Sequence, residues 1–596
     1  MENQRFTLLI VTHYNRIIRK MKSKIISLFL LVFIFAFVIR IYRLTTYPEG
    51  FEQTEAAFGY NAYSLLKTGR DEYSKFLPLI LKSVGDYKLS GYSYWQIPFI
   101  ALFDLNEFSV RLSAVVASII SLLLIYLIIF QLFKKNKIAL LTVFFVGISP
   151  WHIIMSRMGY DPIVAFMWYF SSLALFIQWY KSQRLYLLIL SVLTLSFGTL
   201  TYYAIWVITP FTLTVYWLCI YRKLIKRIRL LYLTLILLFP LLIMSMLLFI
   251  TQGQRLYQDS TFQIDAYPLL LEQIREDQHE FPLFIVRFFH NKISFYPQFI
   301  LRTLFNNLSF DFLFLNGDKI DRRFYIPYNG VLYIFSAPFI LLGFLYFWKY
   351  HSFPKNLFII GSIFFIFLGS SFSQFGSEAE RTLLAAPFFC FLASYGLITV
   401  SAKMRKNYIF TIFVGSVSIL LIWNMTYFNH QYYWHGNVHQ PWGRNYGMKD
   451  MISSLPSFKN KYQKIIFPDN VYIFFYFYNK VDPKIAWKEA TTTNIKANFI
   501  GLKLRSLIGD YMTMPIECPA AGKLNVLYVC QGTKIPKNSK IIKIIRYRDN
   551  QPAFIFVEFI PTETTTLLPE NIRFMEKYGL VDEADSVYWK IESEVN

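Results

Sequence analysis

The chain has little cysteine and little charge for its length. Four cysteines occur in 596 residues, and none stands in a Cys/His spacing of the kind that holds zinc or a cluster. Metal-finger and cysteine-rich secreted frameworks are thereby excluded. Charged residues make up only 16%, too few to cover several soluble domains of this total length. No cleavable leader is evident, because no small-x-small site follows the first apolar run. No internal repeat and no low-complexity linker interrupts the chain. What is present is apolar: 55% hydrophobic and 19% aromatic residues. The expected class is a polytopic α-helical membrane protein.

About eleven spans of roughly 18–25 residues fit a bilayer core of ~30 Å. They fall near 25–43, 108–133, 138–157, 161–180, 185–203, 204–221, 230–250, 327–348, 356–373, 382–400 and 408–427. The run 92–103 is apolar but short, and reads as interfacial or re-entrant. The net charge of +23 is explained by basic loops, not by nucleic acid as a partner. Lys134, Lys135 and Lys137, then Lys181 and Arg184, then Arg222, Lys223, Lys226, Arg227 and Arg229 occupy alternate loops. Lys349 and Lys355, and Lys403, Arg405 and Lys406, continue the series, and residues 1–24 are basic too. The positive-inside rule puts all of these in the cytoplasm. The expected location is the plasma (inner) membrane, with a cytoplasmic N-terminus and everything after 428 outside.

Residues 1–430 form the membrane module, with external loops at 44–107 and 251–326, and 431–596 form an external α/β domain. There KIIFP, NVLYVCQG, KIIKIIRY and FIFVEFI read as strands. NVYIFFYFYNK reads as a helix, and PENIRFMEKYGL, with Pro at N1, as another. Cys518 and Cys530 can pair if this domain is external and oxidised. Cys219 and Cys390, within apolar runs, read as core residues.

The first external loop is dense in acids, tyrosines and glycines. From Thr54 it reads as an amphipathic helix. Thr54 is the expected N-cap, Glu55 sits in the first turn, and Gly69 follows the end. Phe58, Ala62, Leu65 and Leu66 make an apolar face that should lie on the bilayer surface. Asp71, Glu72 and Asp86 read as loop acids. Asp161 precedes Pro162 in a very short external turn, where it suits an N-cap or a catalytic carboxylate. Arg157 lies four residues before it, and Arg381 opens the tenth span. Acids and bases at a membrane edge are costly to desolvate and mark functional sites. His152, in an apolar run, reads as a hydrogen-bonded core residue.

The ordered set GDYK, NEFSVRL, ISPWHIIMSRMGYDP, TLTYYAIWVITP, LSFDFLFLNGDKIDRRFYIPYNGVLY and SEAERTLLAAPFF resembles the GT-C glycosyltransferases that use polyprenyl-phosphate sugars. These include the protein O-mannosyltransferases, the lipid A aminoarabinose transferases and the RgtA/B/C/D-like group. The resemblance implies a hexosyl- or pentosyltransferase that inverts the anomeric carbon. Its donor would be a polyprenyl-phosphate sugar and its acceptor an extracytoplasmic lipid, glycan or protein. It implies an Asp-Glu pair in the first external loop and a second acid in the next. The pair aligns with Thr54-Glu55 and the second acid with Asp161, so Thr54 departs from the family pattern. Asp161 and Glu55 are the expected catalytic carboxylates. Arg157, Arg381 and Lys88, with Asp86 and Tyr202, are the expected phosphate and donor residues. No cofactor is required, although a divalent cation bridging Glu55, Asp161 and phosphate is compatible. The alternatives are a transporter or flippase of a lipid-linked substrate, and an inactive relative that only binds lipid-linked sugar.

Overall fold

The structure is a computed structural model. It describes residues 23–223, 227–251, 253–264, 266–318, 323–404, 407–439, 441–468, 471–489, 510–514, 518–532, 536 and 538–560. The expected helix near 569–580 lies outside them.

Most of the chain is helix. Among the described residues, seven helices are long and apolar enough to cross a bilayer. They are Glu107–Phe133, Asp161–Ser182, Ala204–Lys223, Leu230–Thr251, Phe353–Ser370, Ala379–Ala402 and Tyr408–His439. Asn136–Ile148 and Pro150–Arg157 make an eighth if taken together across a 57° bend. The bend falls where Ser149 caps the second piece through His152 N–H and Pro150 starts it, the proline having no N–H to continue the first. Three further expected spans are apolar helices too short for the test: Ile26–Ile41, Leu185–Thr199 and Ile334–Tyr350. At 1.5 Å per residue they reach about 22–26 Å, less than the ~30 Å core.

The first loop holds helix α1 (Gln53–Thr68), hairpin β1 (Ile80–Ser83) and β2 (Asp86–Leu89), and helix α2 (Gly91–Phe103), which corresponds to the short apolar run. The N-cap of α1 is Glu52 rather than Thr54. Glu52 accepts from Thr54 N–H at 2.6 Å, and Glu55 reaches back to Glu52 N–H at 3.0 Å, a capping box made of two acids. Gly69 ends the helix in the left-handed region, as expected. The helix does not lie on a bilayer with one face wet. Phe58 joins the core of the membrane helices, whereas Ala56, Ala57, Tyr60 and Ala62 join a second core with the C-terminal domain. A Cβ on Gly59 would come within 2.7 Å of Val110 and 2.8 Å of Phe477, so α1 is squeezed between a span and the domain above it.

The C-terminal part builds one mixed sheet from β3 (Lys464–Pro468), β4 (Tyr511–Met514), β5 (Val526–Gln531), β6 (Ser539–Arg546) and β7 (Pro552–Phe559). Its order is β4-β3-β5-β7-β6. The two pairs around β3 are parallel and the rest antiparallel. All four expected strands are present, and β4 adds a fifth at the edge. Cys518 and Cys530 form a disulfide with Cα atoms 5.0 Å apart. Cys219 and Cys390 are free.

The helix Tyr472–Tyr478 presses this domain onto the first loop. Tyr472 donates to Glu72 at 2.9 Å and Tyr478 to Glu107 at 2.7 Å. Tyr60 donates to the Val481 carbonyl at 3.1 Å, and Trp487 to that of Asp71 at 3.1 Å. Asp71 and Glu72 are buried, not solvated, because a domain four hundred residues away covers them.

Candidate active site

A cavity of about 480 Å³ opens where the first loop, the Tyr160–Asp161 turn, the Tyr202–Ala204 turn and the segment 375–381 meet. Ligand sites commonly fall in this size range. Among the described residues, six carboxylates line it: Glu52, Asp86, Asp161, Asp259, Glu378 and Glu380. Three cations among the same described residues face them: Lys88, Arg323 and Arg381. Tyr87, Tyr160, Tyr202 and Tyr203 add phenol edges.

Each wall follows from local sequence. The two-residue turn Val84–Gly85 folds the hairpin back, so that Asp86 and Lys88 both line the cavity. Lys88 Nζ lies 3.4 Å from Asp86 and 5.9 Å from the Phe58 ring centre. Asp161 is the first residue of its helix and is followed by Pro162, while Tyr160 holds the cap position without a side-chain bond. The expected N-cap role therefore passes to Tyr160. The positive end of the helix still favours a carboxylate at 161. Arg381 pairs with Asp259 at 3.2 Å and with Glu378. Burial and neighbouring acids, Glu380 first, push the Tyr202 phenol well above its ordinary value. Burial does the same to Tyr160, so both phenols keep their protons.

A second, apolar pocket shares Tyr203, Ala204, Asp259 and Arg381 with the cavity. It runs on between Val207, Ile208, Phe365, Ile366, Gly369 and Leu384, residues of three membrane helices. Arg381 thus stands where a polar chamber meets a greasy slot.

The structure brings Asp161, Asp86, Lys88, Tyr202 and Arg381 together. It does not bring Glu55 or Arg157 to the cavity wall. Glu55 is fully buried, and its carboxylate takes Arg111 Nε at 3.0 Å, Arg111 Nη2 at 3.2 Å, Gly159 N–H at 2.6 Å and Glu52 N–H at 3.0 Å. Both oxygens are engaged, which leaves no place for a cation held jointly with Asp161. Arg157 is buried as well. It donates to Tyr432 Oη and to the carbonyls of Ile39, Arg40, Tyr42 and Tyr47 at 2.7–3.1 Å. Its guanidinium closes the first loop onto the bundle. His152 bridges Arg40 at 2.8 Å and Ser121 at 3.1 Å within the core. Among the described residues, no three His, Cys, Asp or Glu side chains gather into a cation site.

Glu52, one of the first-loop acids that the sequence offers, lines the wall, whereas sequence reasoning missed Asp259, Arg323, Glu378 and Glu380 there. Glu378, Glu380 and Arg323 lie inside motifs already singled out (SEAER and DRRFY), which was the available signal. Asp259, in the long loop, carried none.

No curated protein matches the sequence. Solved structures that match the chain include the following two. The archaeal oligosaccharyltransferase AglB from Archaeoglobus fulgidus, in complex with an inhibitory peptide and a dolichol-phosphate, is 11% identical with a TM-score of 0.45. That match covers 86% of this chain and 69% of the other. ArnT from Cupriavidus metallidurans, bound to undecaprenyl phosphate, is 11% identical with a TM-score of 0.47 and coverage of 89% and 97%. Residues 91–249 match the family described as Dolichyl-phosphate-mannose-protein mannosyltransferase. Over that stretch, which holds Asp161 and Tyr202, the chain is similar to those proteins, in agreement with the GT-C resemblance of its motifs.

Proposed function

We propose that the chain is a membrane glycosyltransferase. It moves a hexosyl or pentosyl group from a polyprenyl-phosphate donor to a hydroxyl of an extracytoplasmic lipid, glycan or protein, with inversion at the anomeric carbon. One observation carries the reading: Asp161 and Arg381 line the same cavity, and Arg381 also lines the apolar slot between membrane helices. A lipid phosphate has two such needs, a cation for its head and a greasy path for its tail.

In this reading Asp161 takes the proton of the acceptor hydroxyl. The acceptor oxygen bonds to the anomeric carbon as the bond from that carbon to phosphate oxygen breaks. The electron pair leaves with polyprenyl phosphate. Arg381 meets the charge on the departing phosphate, helped by Lys88 across the cavity. A guanidinium has five N–H donors, so Arg381 can hold phosphate oxygens while keeping its two acids. Glu52 and Thr54 line the wall where the family pattern expects the first-loop acids, so Thr54 in place of Asp does not leave that wall without a carboxylate. The match of residues 91–249 to a dolichyl-phosphate-mannose-dependent family supports the donor class. The alternating basic loops support a cavity and sheet domain that face away from the cytoplasm.

The test is incubation of the purified protein in lipid nanodiscs with a panel of polyprenyl-phosphate sugars and an envelope extract as acceptor. Release of polyprenyl phosphate from at least one donor is expected, with about 10-fold or weaker binding of undecaprenyl phosphate by Arg381→Met. Neither donor consumption nor binding of undecaprenyl phosphate by the parent would overturn the reading.

A further inference from the structure

The hairpin that brings Asp86 and Lys88 to the cavity is held in an unfavourable shape. Its turn residues Val84 and Gly85 have φ of 51° and 66°, the pair of positive values that a tight two-residue hairpin turn demands. Glycine adopts this freely, but a β-branched valine rarely does. Something must therefore hold Val84. Its N–H donates to Tyr472 Oη at 2.7 Å, and Tyr472 belongs to the C-terminal domain. The same hydroxyl donates to Glu72 Oε1 at 2.9 Å. Glu72 Oε2 in turn accepts from Ser83 Oγ at 2.9 Å and Asn61 Nδ2 at 3.0 Å. The turn is thus gripped at two successive residues, Ser83 and Val84, by one buried network. Burial, with Glu72 beside it, pushes the Tyr472 phenol well above its ordinary value. The hydroxyl therefore stays protonated and its direction is fixed: it gives to Glu72 and receives from Val84.

We propose that Tyr472 is a positioning residue for Asp86 and Lys88, so that docking of the C-terminal domain completes the cavity wall. The geometry of the hairpin stands by itself; the consequence for lipid-phosphate binding rests on the glycosyltransferase reading. The domain is then a part of the site, although none of its described residues lines the cavity. Lys88 is two residues along a strand from Ser83's partner Asp86, so a turn that relaxes moves the ammonium with it. Loss of one hydroxyl should shift Lys88 without unfolding the sheet.

The experiment uses the full chain in nanodiscs and compares Tyr472→Phe with Tyr60→Phe. The second variant also cuts a hydrogen bond between the first loop and the domain, the one to Val481, whose acceptor lies outside the hairpin. Hydrogen exchange is read on the peptide covering 80–89 and on β5 and β7. Binding of undecaprenyl phosphate is read alongside, in each variant with and without Lys88→Met. Tyr472→Phe should speed exchange in the hairpin about tenfold and leave β5 and β7 unchanged. It should weaken binding about five- to tenfold, and less than additively with Lys88→Met, since both act on one ammonium. Tyr60→Phe should leave hairpin exchange at the parent's rate. Hairpin exchange unchanged in Tyr472→Phe, or equal in both variants, overturns the proposal. Full additivity with Lys88→Met overturns it too. If the parent binds no undecaprenyl phosphate, the exchange comparison alone decides the role of Tyr472, and the function proposed above falls if no donor is consumed either. Should Tyr472→Phe fail to fold, Ser83→Ala cuts the other tie to Glu72 and is read in the same way.

Discussion

Glu55 and Arg111, fifty-six positions apart, form a two-point ion pair with no exposure to solvent, Nε to Oε1 at 3.0 Å and Nη2 to Oε2 at 3.2 Å. The guanidinium also donates to the carbonyls of Leu44, Pro48 and Gly50. The carboxylate also holds Gly159 N–H, two residues before Asp161. One pair therefore ties the first loop, the start of a membrane helix and the turn that carries the cavity acid. Removing one partner leaves the other charge buried, which costs about 3–5 kcal/mol. Arg111→Met should lower the thermal midpoint and the yield of folded protein, and adding Glu55→Gln should restore part of the loss. The check is thermal unfolding in detergent of the single and double variants. An unchanged midpoint in Arg111→Met would mean that the pair does not hold these segments.

Much of the cavity was legible from the chain alone. Asp161, Lys88, Asp86, Tyr202 and Arg381 are polar or phenolic side chains at the outer ends of apolar runs, and a membrane edge is where such groups collect. Glu55 and Arg157 obey the same description yet point elsewhere. Their partners, Arg111 and the carbonyls of residues 39–47, lie 56 to 118 positions away, beyond any local pattern. The capping box failed for a smaller reason. Thr54 is the better capping type, but the box uses Glu52 and Glu55 three apart, and Arg111 offsets the charge. Apolar periodicity located each membrane helix. It could not tell a straight span from the bent pair at Pro150, or say that the domain after 440 presses on α1.

Acid should tighten one contact between the C-terminal domain and the first loop. Glu49 pairs with Arg548, and burial nonetheless raises its carboxyl above the ordinary 4.5. A folded-state value raised above the unfolded one means that the native state binds more protons between the two. Stability from this group is therefore fully present below about 4.5 and is lost as pH rises through the raised value. Protection of the segment 546–554 from hydrogen exchange should rise as pH falls from 7 toward 5, after correction for intrinsic exchange. Glu49→Gln should flatten that slope. An equal slope in parent and variant would assign the effect to other groups.

In the proposed orientation the alternating basic loops are cytoplasmic and the sheet domain lies on the other side. A fluorescent reporter that matures only in the cytoplasm, fused after Asn596, should stay dark. The same reporter fused in the loop after Arg222 should be bright. A bright C-terminal fusion would mean an even number of crossings. It would also move the cavity to the cytoplasmic face, since the two share a side through the contacts of Tyr472 and Tyr478 with the first loop.

Asp161 should be the costliest carboxylate to remove from the proposed reaction, measured per folded molecule. It is the first residue of its helix and does not hold the N-cap position, and Asp161→Asn gives up the attraction of a charge to the helix end, about 0.3–1 kcal/mol. The midpoint should hardly move. Turnover should fall about 10²–10⁴-fold, the usual weight of general-base catalysis. Glu55→Gln should behave in the opposite way: less folded protein, with near-normal turnover in what remains, because Glu55 faces Arg111 and not the cavity. Glu52→Gln is the informative third variant. Glu52 lines the cavity and its carboxylate also caps α1 through Thr54 N–H, so its loss should cost about 0.5–2 kcal/mol of helix stability and only a modest part of the rate. The measurement is donor turnover of all three beside the parent at equal folded concentration. If Asp161→Asn keeps full turnover while Glu52→Gln loses it, the base is Glu52, and the first-loop acid has moved from the position now held by Thr54 to the cap of the same helix.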